Sequence, residues 1–252
     1  MRLRSLAARY TSTTFRRIYR RLERFNDDRI FKSLPVAKCD TSNLRPASTI
    51  PKAIDSDWDL AKMKIERFSI PDDRGGVSKN CQEIIYNTVK SLNPETVLEI
   101  GTHIGSSTAA IALGCNAEIL TLDIRDVNKE YAQYGMKHSP DFMLNSIGAN
   151  VQFVISDSIT YMNNCNLKFD FIFLDGNHDA SVVYTEVPIA LKLLNSNGVI
   201  LLHDYYPNGR PINEKGNVIH GPYKAIQRLI QEGNELNVMP LRKKNSLALL
   251  VG

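Results

Sequence analysis

No run of 18 apolar residues occurs in this 252-residue chain, so no membrane-spanning helix is expected. Cysteine is scarce and scattered. Cys39, Cys81, Cys115 and Cys165 stand far apart, with no Cys-x-x-Cys pair. That argues against a disulfide framework or a zinc site, and for reduced thiols in a cytoplasmic setting. There is no internal repeat and no low-complexity tract, which excludes a repeat array. The Gly-x-Gly-x-x-Gly fingerprint of a dinucleotide site is also missing; in its place stands Gly101-x-x-x-Gly105, with His103 where the middle glycine would be. A side chain there crowds a pyrophosphate. What remains is ordinary: 43% hydrophobic and 23% charged residues, enough for one domain of normal size to bury a core.

Residues 96–105, Thr-Val-Leu-Glu-Ile-Gly-Thr-His-Ile-Gly, carry the most information. An apolar run ends in Glu99, a glycine turn follows, and the small residues from Ser106 to Leu113 read as a helix. Strand, glycine loop and helix together predict the first crossover of a doubly wound sheet. Glu99 at the strand tip repels phosphates and suits a cationic ligand. The next strand, Glu118–Asp123, ends in an acid 24 residues after Glu99. An acid about 20 residues beyond the glycine loop accepts ribose hydroxyls in such folds.

The alternation continues. Val151–Ile155, Phe169–Leu174 and Val199–Leu202 read as strands, Val182–Leu194 as a helix stopped by Gly198. The strand tips carry Glu99, Asp123, Asp157, Asp175 and Asp204, a row suited to a cation or a metal at the carboxyl edge of the sheet. Ser78–Leu92 and Gly221–Glu232 read as helices. Glu235–Met239 and Ser246–Val251 read as a hairpin, which makes one late strand antiparallel. The expected fold is α/β: a doubly wound, Rossmann-like, mostly parallel sheet with an antiparallel C-terminal hairpin strand and an N-terminal helical extension. The long loop from Tyr205 to Pro222 reads as a lid on the acceptor side.

Charge is uneven. Residues 1–32 hold ten Arg or Lys and three acids, a net +7 that leaves −3 for the other 220 residues of a +4 chain. Apolar or neutral residues at 3, 6, 10, 14, 18, 22 and 25 make a stripe, so the segment reads as a basic amphipathic helix. Three readings stay open: packing on a partner subunit, contact with an anionic membrane surface, or a targeting segment. Residues 33–55, with Pro35, Pro46 and Pro51, read as a linker or arm, and 56–68 as a short helix. The chain thus divides at about residue 76 into a helix, linker and cap region and a domain spanning 77–252.

With these residues in hand, the chain resembles the class I S-adenosylmethionine-dependent methyltransferases. More narrowly it is similar to the small-molecule O-methyltransferase-like group. The resemblance rests on Asp175-Gly176-Asn177-His178 after the fourth strand, His203-Asp204 after the fifth, and Leu193–Ile200 as the "leucine-leucine, turn, glycine, strand" signature. It covers residues 77–252. His103 departs from it, since many relatives have glycine there.

The resemblance implies roles for individual positions. Glu99 and Gly101, with Thr102, His103, Gly105 and Ser106 of the same loop, would frame the amino-acid end of S-adenosylmethionine. Asp123 would hold the ribose, with Ile124 beside it; Asp157 and Ser158 would face the adenine. Asp175 would lie near the transferred methyl. Asp175 and Asp204 match metal-ligand positions, and His178 matches a base.

Elementary chemistry suits such roles. A hydroxyl acceptor is a poor nucleophile until its proton is removed. A histidine can do this, as His178 with His203 and Asp175 in support, or Mg²⁺ or another divalent ion held by Asp175 and Asp204 can lower its pKa. His220 and His138 read as loop and solvated residues, and Tyr205 and Tyr206 as an acceptor-side wall or as ordinary half-buried aromatics.

The expected activity is methyl transfer to a hydroxyl of a small molecule, sugar or natural product, with a homo-oligomer left open. A non-methylating or hydroxylase-associated member of the same fold is the alternative. Nucleic acid is disfavoured, because the strand tips are acidic and no basic-aromatic stacking surface is evident.

Overall fold

The computed structural model describes residues 13–51, 56–71, 75–209, 218–241 and 245–252. Seven strands form one sheet in the order β3-β2-β1-β4-β5-β7-β6. They are β1 (Thr96–Ile100), β2 (Glu118–Asp123), β3 (Val151–Ile155), β4 (Phe169–Leu174), β5 (Leu194–Leu202), β6 (Asn237–Pro240) and β7 (Ala248–Val251). The first five run parallel. β7 is antiparallel to both β5 and β6 and lies between them, so the hairpin expected from the sequence closes the sheet with β6 at the edge.

The central strands are apolar throughout because both faces of the sheet are covered. Alternate residues go to opposite sides. Leu98, Leu120, Ile172, Ile200 and Leu250 pack with helices α8 (Ala180–Lys192) and α9 (Gly221–Gln231). Val97, Ile119, Phe171, Phe173, Val199 and Leu249 pack with α2 (Trp58–Glu66), α3 (Lys79–Leu92) and α4 (Ser106–Gly114). Phe171 and Phe173 are fully buried, each worth about 2–3 kcal/mol of transfer free energy.

Local signals start and stop the helices. Ser78 caps α3 by accepting from the Cys81 N–H, and Asn93 ends it in the left-handed conformation. Gly198 does not stop a helix as expected. α8 ends at Lys192, and Gly198 lies within β5, where it forms a parallel bridge with Leu44. The reason is a bulge: Phe169 pairs with Leu194 but Phe171 with Val199, so residues 195–198 loop out of the ladder.

The segment after α1 (Thr13–Ser33) is not a free linker. It lies along the domain, tied by polar contacts. Asp27 accepts from the N–H groups of Ala180 and Ser181, both at 3.0 Å, and so caps α8 from a helix about 150 residues away in sequence. Tyr184 donates to Glu232 and to Pro35, the Asn234 side chain bonds Ala37 and Cys39, and Arg45 pairs with Gly198. Arg228 donates to the carbonyls of Phe31 and Leu34 and to Glu232, and its guanidinium lies 4.4 Å from the Tyr184 ring centroid and 5.0 Å from that of Phe31.

Beneath the loop after β1 lies Glu99, fully buried. Its Oε2 accepts from Thr108 at 2.5 Å and Thr121 at 2.6 Å, and Thr121 is in turn 2.6 Å from Thr102. Burial pushes the Glu99 carboxyl up to about 7, against the opposing effect of its hydroxyl donors. Glu186 on α8, also buried and bonded by Ser158 at 2.5 Å, is likewise raised to about 7 by burial.

Two outcomes are expected. Arg228→Met should lower stability by about 2 kcal/mol in urea unfolding and hasten proteolysis between residues 33 and 45, because two carbonyls and two rings lose their partner. The second concerns pH. A carboxyl raised by folding favours the folded state below its unfolded pKa, and that contribution is lost as pH rises through the folded value. Wild-type stability should therefore fall from about pH 4.5 to about pH 7 and level off. Glu99→Gln should flatten this fall, gaining about 2 kcal/mol on wild type between about pH 5 and pH 8; equal slopes in the two proteins would contradict it.

Candidate active site

The site is built at the carboxyl edge of β1, β2 and β4. After β1 the chain turns through Gly101 (φ +102°), His103 (φ +46°) and Gly105 (φ +75°) into α4. The turn is held against β2: the N–H groups of Gly101 and Thr102 donate to the Leu122 carbonyl, and the N–H of His103 donates to Asp123 Oδ2 at 2.9 Å. Gly101 is required by close approach, because a Cβ there would lie 2.3 Å from the Asp175 carbonyl oxygen. His103 pays backbone strain to hold the left-handed conformation, and its ring leans on Tyr134 with centroids 4.7 Å apart. Burial holds its imidazole below the ordinary histidine range, helped by Arg125.

These loops enclose an open cleft of about 820 Å³. Of the residues expected at a cofactor, Gly101, Thr102, His103, Ser106, Asp123, Ile124, Asp157, Ser158 and Asp175 line it. Two do not. Glu99 is sealed below the floor, because its carboxyl is turned toward Thr108 and Thr121. Gly105 packs behind the loop, where a Cβ would meet Met143 and Pro140 at 3.0 and 3.1 Å.

The row of five acids is thus a row of three at the cleft: Asp123, Asp157 and Asp175. Asp123 Oδ2 takes the His103 N–H and Oδ1 the Arg125 N–H, which leaves each oxygen a lone pair for a ligand hydroxyl. Asp157 caps α7 (Ser158–Asn164) by accepting from Thr160, and this hydrogen bonding holds its carboxyl below the usual range.

Asp175, Asn177 and His178 follow β4 and form the other wall. The segment is gripped from both sides. Gly101 lies against Asp175, and a Cβ on Gly221 would fall 1.8 Å from the His178 carbonyl oxygen. His178 Nε2 lies 3.8 Å from Asp175 Oδ1 and 3.5 Å from Asp204 Oδ2. His203 Nδ1 lies 2.8 Å from Asp175 Oδ1 and 3.6 Å from Asp204 Oδ1. Burial disfavours charge on His203, yet the Asp175 carboxylate, the Cys81 thiol and Asp204 raise its pKa well above the ordinary histidine value. Asp204 is itself buried, in the left-handed conformation (φ +52°), with Tyr206 and Ser246 donating to Oδ1. Burial and Asp204 push the Tyr206 hydroxyl up to about 12.

The expected metal pair, Asp175 and Asp204, has two histidines between its carboxylates, with His203 Nδ1 and His178 Nε2 each within 4 Å of both. Among the described residues, no group of three or more His, Cys, Asp or Glu side chains is placed to hold a metal ion. His203 sits behind the wall and acts on Asp175, whereas His178 faces the cleft.

Sequence reading missed several contributors. Gly75 and Gly76, which precede α3, line the cleft; a Cβ on Gly76 would lie 2.5 Å from Ile104 Cδ1. Arg125, two residues past Asp123, lines it too and stacks over Tyr134 at 5.2 Å. Gly-Gly beside a predicted helix was a usable signal; nothing in the sequence marked Arg125. His138 is exposed and stacks on Phe142, and His220 is exposed ahead of α9. Tyr205 is buried against Tyr223. Residues 210–217 of the expected lid lie outside the described residues.

Residues 98–205 match the family model described as a methyltransferase domain. An O-methyltransferase of Aspergillus hancockii, hkm8, is 29% identical over 114 residues, covering 44% of this chain and 43% of that protein. The chain therefore matches less than half the length of that curated relative. The fold is similar to the SAH-bound Podospora anserina methyltransferase PaMTH1, with TM-score 0.56 and 24% identity over 77% of this chain and 87% of that one. It is similar also to the O-methyltransferase TomG of Streptomyces achromogenes in complex with SAM, with TM-score 0.53 and 15% identity over 79% and 91%. With its glycine turn, acidic second-strand tip and cleft at the carboxyl edge, the chain is similar to the class I S-adenosylmethionine-dependent O-methyltransferases, and residues 98–205 match a methyltransferase domain.

Proposed function

We propose that this chain transfers a methyl group from S-adenosylmethionine to a hydroxyl oxygen of a small molecule. The observation that carries the reading is the cleft itself: among the described residues, Asp123, Asp157 and Asp175 line it against one arginine, Arg125. That charge balance disfavours a polyphosphate and favours a cationic ligand. The residues present fit S-adenosylmethionine, because Asp123 keeps acceptor capacity on both oxygens and Gly101, Thr102 and His103 line the cleft beside it.

In this reading Asp123 holds the ribose hydroxyls and Ile124 flanks the adenosine. Asp157 and Ser158 border the adenine, with Ser158 oriented by Glu186. Gly101, Thr102, His103 and Ser106 surround the amino-acid end. When bound, S-adenosylmethionine supplies a methyl carbon already activated by its sulfonium.

The protein's own task is to orient the acceptor and take its proton. His178 faces the cleft between two carboxylates, and an imidazole is the side chain suited to accept a proton near neutral pH. Asp175 and Asp204 stabilise the imidazolium that results. His203 holds Asp175 in place as a fixed counter-charge. The scheme draws on no metal, because His178 supplies the base and the two histidines lie between Asp175 and Asp204. A sugar or a natural-product-like molecule with a free hydroxyl is the acceptor class that suits an open cleft of this size.

Calorimetric titration with S-adenosylhomocysteine tests the cofactor half. Wild type should bind at micromolar Kd, about −8 kcal/mol, and Asp123→Ala at least about tenfold more weakly. Heat with NAD and none with S-adenosylhomocysteine would overturn the reading. His178→Ala tests the other half: methyl transfer should fall by about 10²–10⁴-fold, with S-adenosylhomocysteine affinity unchanged. EDTA should leave the wild-type rate unaltered; loss of activity restored by Mg²⁺ would return Asp175 and Asp204 to a metal-binding role.

A further inference from the structure

Leu22 and Phe25 of α1 point away from the domain. The inner face of the helix is polar and aromatic: Asp27 caps α8, Asp28 pairs with Lys224 at 2.8 Å, and Phe31 packs edge-on against Tyr184 at 5.6 Å. Across the helix from these, Leu22 is 62% exposed and Phe25 is 71% exposed. Within the helix, positions 15, 18, 22 and 25 recur at helical spacing and are Phe, Ile, Leu and Phe. An amphipathic stripe normally turns inward; here the tethering residues take the inner face and leave Leu22 and Phe25 exposed.

The same helix carries Arg16, Arg17, Arg20, Arg21, Arg24, Arg29 and Lys32. Of its three acids, Asp27 and Asp28 are committed to the domain. Apolar residues recurring along one face of an arginine-rich helix make the pattern of a helix lying in a lipid–water interface.

We propose that α1 docks this chain on an anionic membrane surface, with Leu22 and Phe25 entering the headgroup layer and the arginines meeting lipid phosphates. Charge selects this occupant. A second copy of the chain would bring a like-charged helix against it, which an isologous contact cannot relieve. A nucleic acid would engage the arginines but give the Leu22 and Phe25 face nothing to bury. The proposal is independent of the methyl-transfer reading, because α1 contributes no residue to the cleft.

Flotation of the full chain with vesicles tests it. Vesicles of phosphatidylcholine containing about one third phosphatidylserine should carry the protein at about 0.15 M salt, and pure phosphatidylcholine should not. Binding should weaken as salt rises. Leu22→Glu with Phe25→Glu, and separately Arg21→Glu with Arg24→Glu, should each reduce partitioning at least about tenfold, with S-adenosylhomocysteine affinity and thermal midpoint as in wild type. Three results would overturn the proposal: no binding to the anionic vesicles, equal binding by wild type and both variants, or a dimer in sedimentation that the Leu22→Glu, Phe25→Glu variant dissociates. Displacement from vesicles by an RNA oligonucleotide that the Leu22→Glu, Phe25→Glu variant still binds as tightly would do so as well.

Discussion

Backbone pressed against backbone is the constraint on which the site depends. The segment from Asp175 to His178 is held between Gly101 on one side and Gly221 on the other, at distances that leave no room for a Cβ on either glycine. Side chains could adjust to a neighbour; main chain at this range cannot. The position of Asp175, and through it of His203 and His178, therefore follows from how β1, β4 and α9 pack. This is why the site needs a rigid sheet with both faces covered. A loop free to drift by an ångström would separate His178 from its two carboxylates and open the cleft floor.

Burial then sorts the acids. A carboxylate at the rim, such as Asp123, takes backbone N–H donors and faces the open cleft. One sealed under the loop, such as Glu99, is pushed up to about 7 because burial outweighs three hydroxyl donors. Asp157 spends its acceptor on a helix cap. The net result is a cleft with three carboxylates, of which Asp175 has His203 Nδ1 2.8 Å behind it. A uniform row of five charges would have repelled itself and cost stability without a bound cation.

That sorting also marks the limit of what the sequence displays. Strand positions were legible because buried parallel strands must be apolar, and β2, β3 and β4 have the expected bounds, while β1 runs one residue past Glu99. The glycine turn and Asp123 were legible because backbone geometry and ribose chemistry each allow few residue types. Glu99 was legible as an acid at a strand tip but not as a buried one, because residues one apart on a strand face opposite sides and the pattern does not say which side is open. Gly198 misled for a related reason. Glycine is equally at home after a helix and in a bulge, and only the partner strand, with its three residues against six, distinguishes the two.

The N-terminal helix shows how sequence distance hides physical necessity. Asp27 satisfies two N–H groups at the start of α8, immediately after His178, and those groups would otherwise be orphaned in a half-buried position. A helix start left uncapped frays, and the residue just before it moves most. The tether of α1 thus steadies the residue read here as the base, while the same geometry turns Leu22 and Phe25 outward. One helix face cannot serve both ends. By giving its polar residues to the domain, α1 leaves its apolar ones to whatever lies outside, and a basic helix with an apolar outer face is best satisfied by a surface that is anionic above and oily below.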